Sequence, residues 1–396
     1  MNTITTINGR PARAHGEHQI VRRVASGLTL ATIFGISVLL LVGCDNTFSI
    51  FQTISQEKKQ TGADLFLNTQ VRAMANDSTN YYTMLAQVFY RDRTGTAWNV
   101  LLVNGASSYF ASGLASDAAG TVYVAKSDSN NVLDDIYSTV DQGKNWTAMH
   151  ASAAASAMYG NTVDWLACAN NVLFVAAHDS SMNYTLFCYD ASSSSFKATG
   201  VAGSGDTVLK GVVYDGTGLY WAITASDAYR GASPAAMAKE NATGNPTLSL
   251  GLLSIATDGA GRILVTRSDG YAYSYSSGVW SNFQVKASTK LGPAFFVTQP
   301  VGSERILVAK GVASYGYMEY NETGPATNDA GSNYVTTSSS IYYGAMLNKT
   351  VLGFWQPSDS ANVLFVLLGS GGTDSYALYR NKFDVATSKW SGWTAE

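Results

Sequence analysis

Short apolar runs, each preceded by a polar turn, recur along most of the chain. LASDAAGTVYVA (114–125) is one such unit: an apolar strand, the turn Asp117-Ala-Ala-Gly120, and a second strand. DDIYSTVDQGKNWTAM, which follows, reads as two more short strands joined by a second turn, making four strands in one module. An Asp at the first turn position accepts hydrogen bonds from N–H groups two or three residues on. A Gly or Asn at the fourth position tolerates the left-handed conformation of a bulged hairpin loop. The same Asp-x-x-Gly/Asn stands at Asp77–Asn80, Asp215–Gly218, Asp258–Gly261 and Asp359–Asn362, each leading into YYTML, LYWAI, RILVT or VLFVLL. Asp77 to Asp117 and Asp215 to Asp258 are about 40 residues apart, whereas Asp117 to Asp215 and Asp258 to Asp359 are about 100 apart. Each double gap holds a divergent copy, Asn170-Asn171 before VLFVAA and Pro300–Glu304 before RILVA. Seven units of four strands, at roughly 40–50 residues each, predict an all-β chain folded as a seven-bladed β-propeller over 67–396.

Residues 1–43 have a different pattern. Arg10, Arg13, Arg22 and Arg23 form a basic leader, and Leu28–Val42 is an apolar run of about 15 residues, shorter than the ~20 a membrane span needs. It ends in Leu41-Val42-Gly43-Cys44. That tetrapeptide resembles the lipobox of bacterial lipoproteins. The resemblance implies cleavage before Cys44, a diacylglycerol thioether on its sulfur, and a mature protein tethered to a membrane on the extracytoplasmic side of the envelope. An uncleaved anchor and an ordinary secretory signal are the alternatives. Residues 44–66 show no strand period and read as the tether.

Composition narrows the function. Only 13% of the 396 residues are charged, against about 25% in average proteins, while 46% are apolar, enough for a large core. The leader holds four of the basic residues and one acidic residue, so the remainder is acidic, with eight arginines and no basic stripe. Nucleic acid is therefore excluded as a partner. Cys168 and Cys188 fall in the first and third strands of one unit, nearly 10 Å apart, beyond the reach of a disulfide, and read as buried thiols.

The second hairpin of the 114–146 unit carries Thr139-x-Asp141-x-Gly143-x-x-Trp146. This resembles the Asp-box of sialidases and other BNR-repeat propellers, with Trp98, Phe196, Trp280 and Trp390 as aromatics after the corresponding turns elsewhere. Its spacing suits a carboxylate that ties down turn N–H groups, a positive-φ Gly, and an indole packed across the hairpin. The resemblance implies a structural role for these four residues on the outer rim. It also raises the sialidase chemistry of three arginines, a Tyr nucleophile with a Glu, and an Asp acid/base. The Phe/Tyr-Arg-Ile-Pro motif of that family is absent, and nothing in the contexts of Arg72, Arg230 and Arg267 supports a trio.

Other chemistry is thin. Beyond the leader only His150 and His178 remain, too few for an imidazole metal site, and neither Gly-x-Ser-x-Gly nor a phosphate loop occurs. Asp128, Asp134 and Asp135 read as a solvated turn, and no metal or cofactor is expected. Two stretches exceed the repeat: Ser226–Asn245, whose SPAAMAKE could form a helical turn, and Tyr315–Tyr343. The tyrosines Tyr315, Tyr317, Tyr320 and Tyr334 form the candidate binding loop, although the alternation in YGYMEY also suits a half-buried strand. Glu240, Glu319 and Glu322 lie in or beside these stretches. The expectation is a monomeric, lipid-anchored envelope protein whose propeller binds or scaffolds a protein or glycan without catalysis. The alternative is a carbohydrate-active enzyme such as a divergent sialidase.

Overall fold

The computed structural model describes residues 67, 70–130, 132–240, 251–284, 291–298, 305–311, 316–320, 334–335, 350–369 and 377–396. Cys44, the tether to residue 66, and Tyr315 lie outside the described residues.

Seven antiparallel sheets follow one another in chain order, and each takes its strands in sequence order from first to fourth. They form a seven-bladed propeller. The first strands of successive blades lie side by side around the axis: Ala73–Asn76, Phe110–Ser116, Thr162–Ala169, Leu209–Tyr214, Leu252–Thr257, Leu291–Val297 and Val351–Trp355. In blade 7 the outermost position is shared by two short strands, Lys389–Trp390 and Thr394–Ala395, which pair with different parts of Leu378–Asp384.

The core consists of seven clusters, one in each cleft between neighbouring blades. This explains why the second strands read as continuous apolar runs rather than alternating ones: both faces of each sheet are covered. In Tyr220–Thr224, Tyr220 and Ala222 face blade 3 while Trp221 and Ile223 face blade 5. In Val363–Leu368, Leu364, Val366 and Leu368 face blade 6, and Phe365 and Leu367 face blade 1. The aromatics at the start of the outer strands share one job. Trp98, Phe196, Trp280 and Trp390 are buried, and with half-buried Trp146 each packs into the cleft toward the preceding blade.

The ring closes between blades 7 and 1. Besides their shared apolar cluster, Glu396 is buried between Arg91 of blade 1 and Arg380 of blade 7, with its carboxylate 2.6 Å from Arg380 Nε. Arg91 lies over the rings of Trp98 and Tyr81, at 5.0 and 5.7 Å.

Antiparallel pairing sorts the loops. Turns between first and second strands, and between third and fourth, lie on one face, here the turn face. Turns between second and third strands, and the links from blade to blade, lie on the opposite connector face.

Four of the five Asp turns cap themselves, Asp117 through an N–H four residues on rather than two or three. Asp77 accepts from the N–H groups of Thr79 and Asn80, both at 2.7 Å, and from the Tyr82 hydroxyl at 2.5 Å. Asp117 accepts from Thr121 N–H, Asp215 from Thr217, Gly218 and Leu219, and Asp258 from Ala260 and Arg262. Gly120, Gly218 and Gly261 take positive φ, +86°, +129° and +99°. Asn80 does not; it opens the second strand of blade 1 instead. Asp359 also departs from the expectation. Its turn begins at Pro357, and its carboxylate is drawn across to blade 1, to Asn76 Nδ2 at 3.3 Å and Arg93 at 2.8 Å.

Candidate functional site at the central mouth

The first strands share an irregularity near their connector-face ends. In blades 2 to 7 the pairing between first and second strands slips at the same level. The extra residue is Ser112 in blade 2, Asp164 in blade 3, Lys210 in blade 4, Leu253 in blade 5 and Leu352 in blade 7, with Gly292-Pro293 in blade 6. In blade 1 Arg72 holds this level, its N–H bonded to Met84 O at 2.8 Å while Ala73 stands opposite Met84. A bulge bends its strand and re-aims the side chain of the unpaired residue. Here the bulges bring Ser112, Asp164 and Lys210, with Arg72 of the regular blade 1, to a cavity of about 290 Å³ between the inner strands of blades 1 to 5. Leu114, Leu166, Val212 and Ile255 supply its apolar lining, and Trp165 borders it.

The level is asymmetric. Blades 1 to 4 contribute a cation, a hydroxyl, a carboxylate and a cation, whereas blades 5 to 7 contribute the half-buried Leu253, Pro293 and Leu352. Asp164 lies 2.9 Å from His178 Nδ1, whose ring packs against Tyr184. Burial pushes the Asp164 carboxyl above its ordinary value, and the contact with His178 offsets this only in part. Arg72 and Lys210 hold no ion pair among the described residues.

Sequence reasoning missed Ser112, Asp164 and Lys210, although a signal existed. In three blades the extra residue is followed by glycine: Ser112-Gly113, Lys210-Gly211 and Leu352-Gly353. A glycine inside a strand run often marks a bulge or a close approach. A Cβ on Gly113 would lie 2.4 Å from Leu166 of blade 3, and one on Gly211 would lie 3.0 Å from Ile255 of blade 5.

The residues singled out by sequence are placed elsewhere. In Thr139–Trp146 the Thr139 hydroxyl accepts from Gly143 N–H at 3.0 Å and donates to Asp141 at 2.8 Å; Asp141 in turn accepts from Asn145 N–H at 2.9 Å. Gly143 has φ +80°. The Trp146 ring lies over Gly143 of its own hairpin, where a Cβ would be 3.4 Å from it, and its Nε1 also reaches the neighbouring blade, donating to Leu102 O at 2.9 Å. All four lie on the outer turn-face rim of blade 2, away from the mouth.

Both stretches that exceed the repeat contribute blade strands among the described residues. Ser226–Asn245 contains the third and fourth strands of blade 4, Ala228–Ser233 and Ala236–Lys239, so the segment expected to form a helical turn is an edge strand. Tyr317–Tyr320 and Tyr334–Val335 are the third and fourth strands of blade 6, with Tyr320 opposite Tyr334. Tyr317 is fully buried, 5.5 Å from the Phe354 ring and 3.2 Å from Trp393 Nε1, which corrects its assignment to a binding loop. The apolar cleft between blades 6 and 7 captures it, as the YGYMEY alternation allows.

Among the described residues, Glu240 and Glu319 stand in different blades, 4 and 6. Glu240 pairs with Arg230 in blade 4, and Glu319 is buried in blade 6; Glu322 lies outside the described residues. Arg230 and Arg267 are engaged by Glu240 and Asp269, and neither lines the mouth beside Arg72. Asp135 accepts from the N–H groups of Ile136, His150 and Ala151, and Asp134 pairs with Lys126. Cys168 and Cys188 are free and occupy the first and third strands of blade 3, on either side of Leu173–Phe174. Cys188 is buried, and Cys168 is half-buried beside the apolar cluster between blades 2 and 3.

No protein-family model matches the chain, and no curated protein matches it. Solved structures do. A family GH74 xyloglucanase from Xanthomonas campestris aligns with a TM-score of 0.54 at 12% identity, over 83% of this chain and 54% of the enzyme. This chain thus spans about half the length of that enzyme. YCF48 bound to a D1 peptide aligns with a TM-score of 0.52 at 12% identity, over 79% of this chain and 93% of YCF48. The computationally designed protein Ika8 aligns at 0.51 and 8% identity, over 82% and 87%. At such identities the likeness concerns the propeller fold alone.

Proposed function

We propose that this chain is a bacterial envelope lipoprotein, anchored through a lipid on Cys44, whose propeller is a non-catalytic binding or scaffold module that takes its partner at the central mouth. One observation carries the binding reading. Hydrolysis of a glycosidic bond ordinarily uses two carboxylates facing each other across the bond, about 5–10 Å apart. Among the described residues lining the mouth, Asp164 is the only carboxylate, while Arg72 and Lys210 offer unpaired positive charge. Such a lining holds a ligand but lacks an acid and base partnership. Similar propellers include one seen with a peptide and one that is a xyloglucanase, so fold leaves both classes open. The Thr139–Trp146 turn, which resembles an Asp-box, supports blade packing in this reading, not the site.

Two measurements test it. Cys44→Ala should abolish fatty-acid labelling and leave an unprocessed precursor; equal labelling of both proteins would refute the anchor. Wild type and Lys210→Glu, compared on a glycan array and in an envelope pull-down, should differ in partner capture while unfolding alike. Capture unchanged in the variant would remove the mouth from the function, and turnover of xyloglucan or a sialoside by wild type would overturn the non-catalytic assignment.

A further inference from the structure

We infer that the group seated in the central mouth is a single carboxylate carried on an apolar body about the size of one amino-acid residue. The inference rests on the mouth being the binding site and specifies its ligand. Size comes first. Sites for drug-sized ligands run about 300–1,000 Å³. The mouth, at about 290 Å³, lies just below that range, room for one residue rather than several sugar rings.

Charge comes second. Arg72 and Lys210 against Asp164 leave the described lining with one positive charge in surplus. That surplus is balanced by a monoanion. A phosphate dianion would exceed it and would sit beside the Asp164 carboxylate. Arginine's planar fork matches a carboxylate, and lysine offers a point charge to the same group.

Apolar surface comes third. Leu114, Leu166, Val212 and Ile255 line the cavity. A bare inorganic anion would leave this surface wet, whereas a branched aliphatic body would cover it. The C-terminal residue of a polypeptide and a free short-chain acid share this chemistry.

The test titrates the purified full chain, by calorimetry, with three probes: acetyl-Ala-Ala-Leu bearing a free carboxylate, the same peptide as its C-terminal amide, and 4-methylpentanoate. The free-acid peptide should bind at least tenfold more tightly than the amide. Arg72→Gln and Lys210→Gln should each weaken it about tenfold with unchanged thermal unfolding. Tighter binding of the peptide than of 4-methylpentanoate assigns the ligand to a polypeptide terminus; equal binding assigns it to a free acid. Equal binding of acid and amide, or no binding of either acid, overturns the inference. If neither acid binds yet Lys210→Glu still loses partner capture, the mouth stands and only the carboxylate falls. If capture is unchanged in Lys210→Glu, the mouth itself falls.

Discussion

Gly216 and Gly259 sit in adjacent turn-face turns of blades 4 and 5, and they should respond very differently to alanine. Both take positive φ, +81° and +72°, so alanine at either pays the left-handed penalty of about 1–2 kcal/mol. Their surroundings diverge. A Cβ on Gly259 would meet nothing within 4 Å, whereas one on Gly216 would lie 1.8 Å from the Gly259 carbonyl oxygen. Backbone cannot rotate away as a side chain can, so the two turns must separate by about an ångström or more. That separation breaks the bond from Gly261 N–H to Asp215 O, now 2.8 Å, for roughly 1 kcal/mol. It also loosens the packing of blade 4 on blade 5. Gly216→Ala should therefore cost about 2–3 kcal/mol before any packing loss, and Gly259→Ala about 1–2 kcal/mol. Urea denaturation followed by far-UV circular dichroism, with m-values compared to verify a common transition, reads the difference. Equal losses at the two positions would refute the claim that turn-to-turn contact, rather than local strain, holds these blades in register.

Two further outcomes follow from the same geometry. Glu396→Ala would strand Arg91 and Arg380 without their shared carboxylate, and removing one partner of a buried pair typically costs about 3–5 kcal/mol; thermal unfolding of this variant beside wild type checks it, and a loss under 1 kcal/mol would mean the closure is held by its apolar cluster alone. Asp77 should contribute to acid sensitivity. Burial raises its carboxyl, but the Tyr82 hydroxyl, the Thr79 and Asn80 N–H groups and the Thr79 hydroxyl together outweigh that and leave it below its ordinary value of 3.8. A depressed folded value stabilises the fold above pH 3.8 and loses that contribution as pH falls through the depressed value. Asp77→Asn should accordingly flatten the acid limb of the stability profile below about pH 4; an unchanged limb contradicts the assignment.

The blade count, the strand order within a blade and most of the turn chemistry were legible in the chain itself, because each depends on neighbours close in sequence. An Asp that caps N–H groups two to four residues on, as Asp215 does, needs no tertiary partner to announce itself. Asp359 has the same sequence context but bonds to Asn76 and Arg93 of blade 1, because ring closure brings a different set of donors to it. Tyr317 looked like a loop aromatic and proved to be core, since only the approach of blades 6 and 7 reveals the cleft that takes it. The same limit hid the mouth. Ser112, Asp164 and Lys210 lie in different blades, far apart in sequence, and each looks like an ordinary polar strand position. A one-residue slip in pairing decides whether such a side chain faces a neighbouring blade or the axis, and that slip is set by what the adjacent inner strand presents, such as Leu166 against Gly113. Local hydrogen bonding and apolar periodicity were therefore enough to specify the blades. Convergence of four polar side chains on one cavity required the seven-fold closure of the ring.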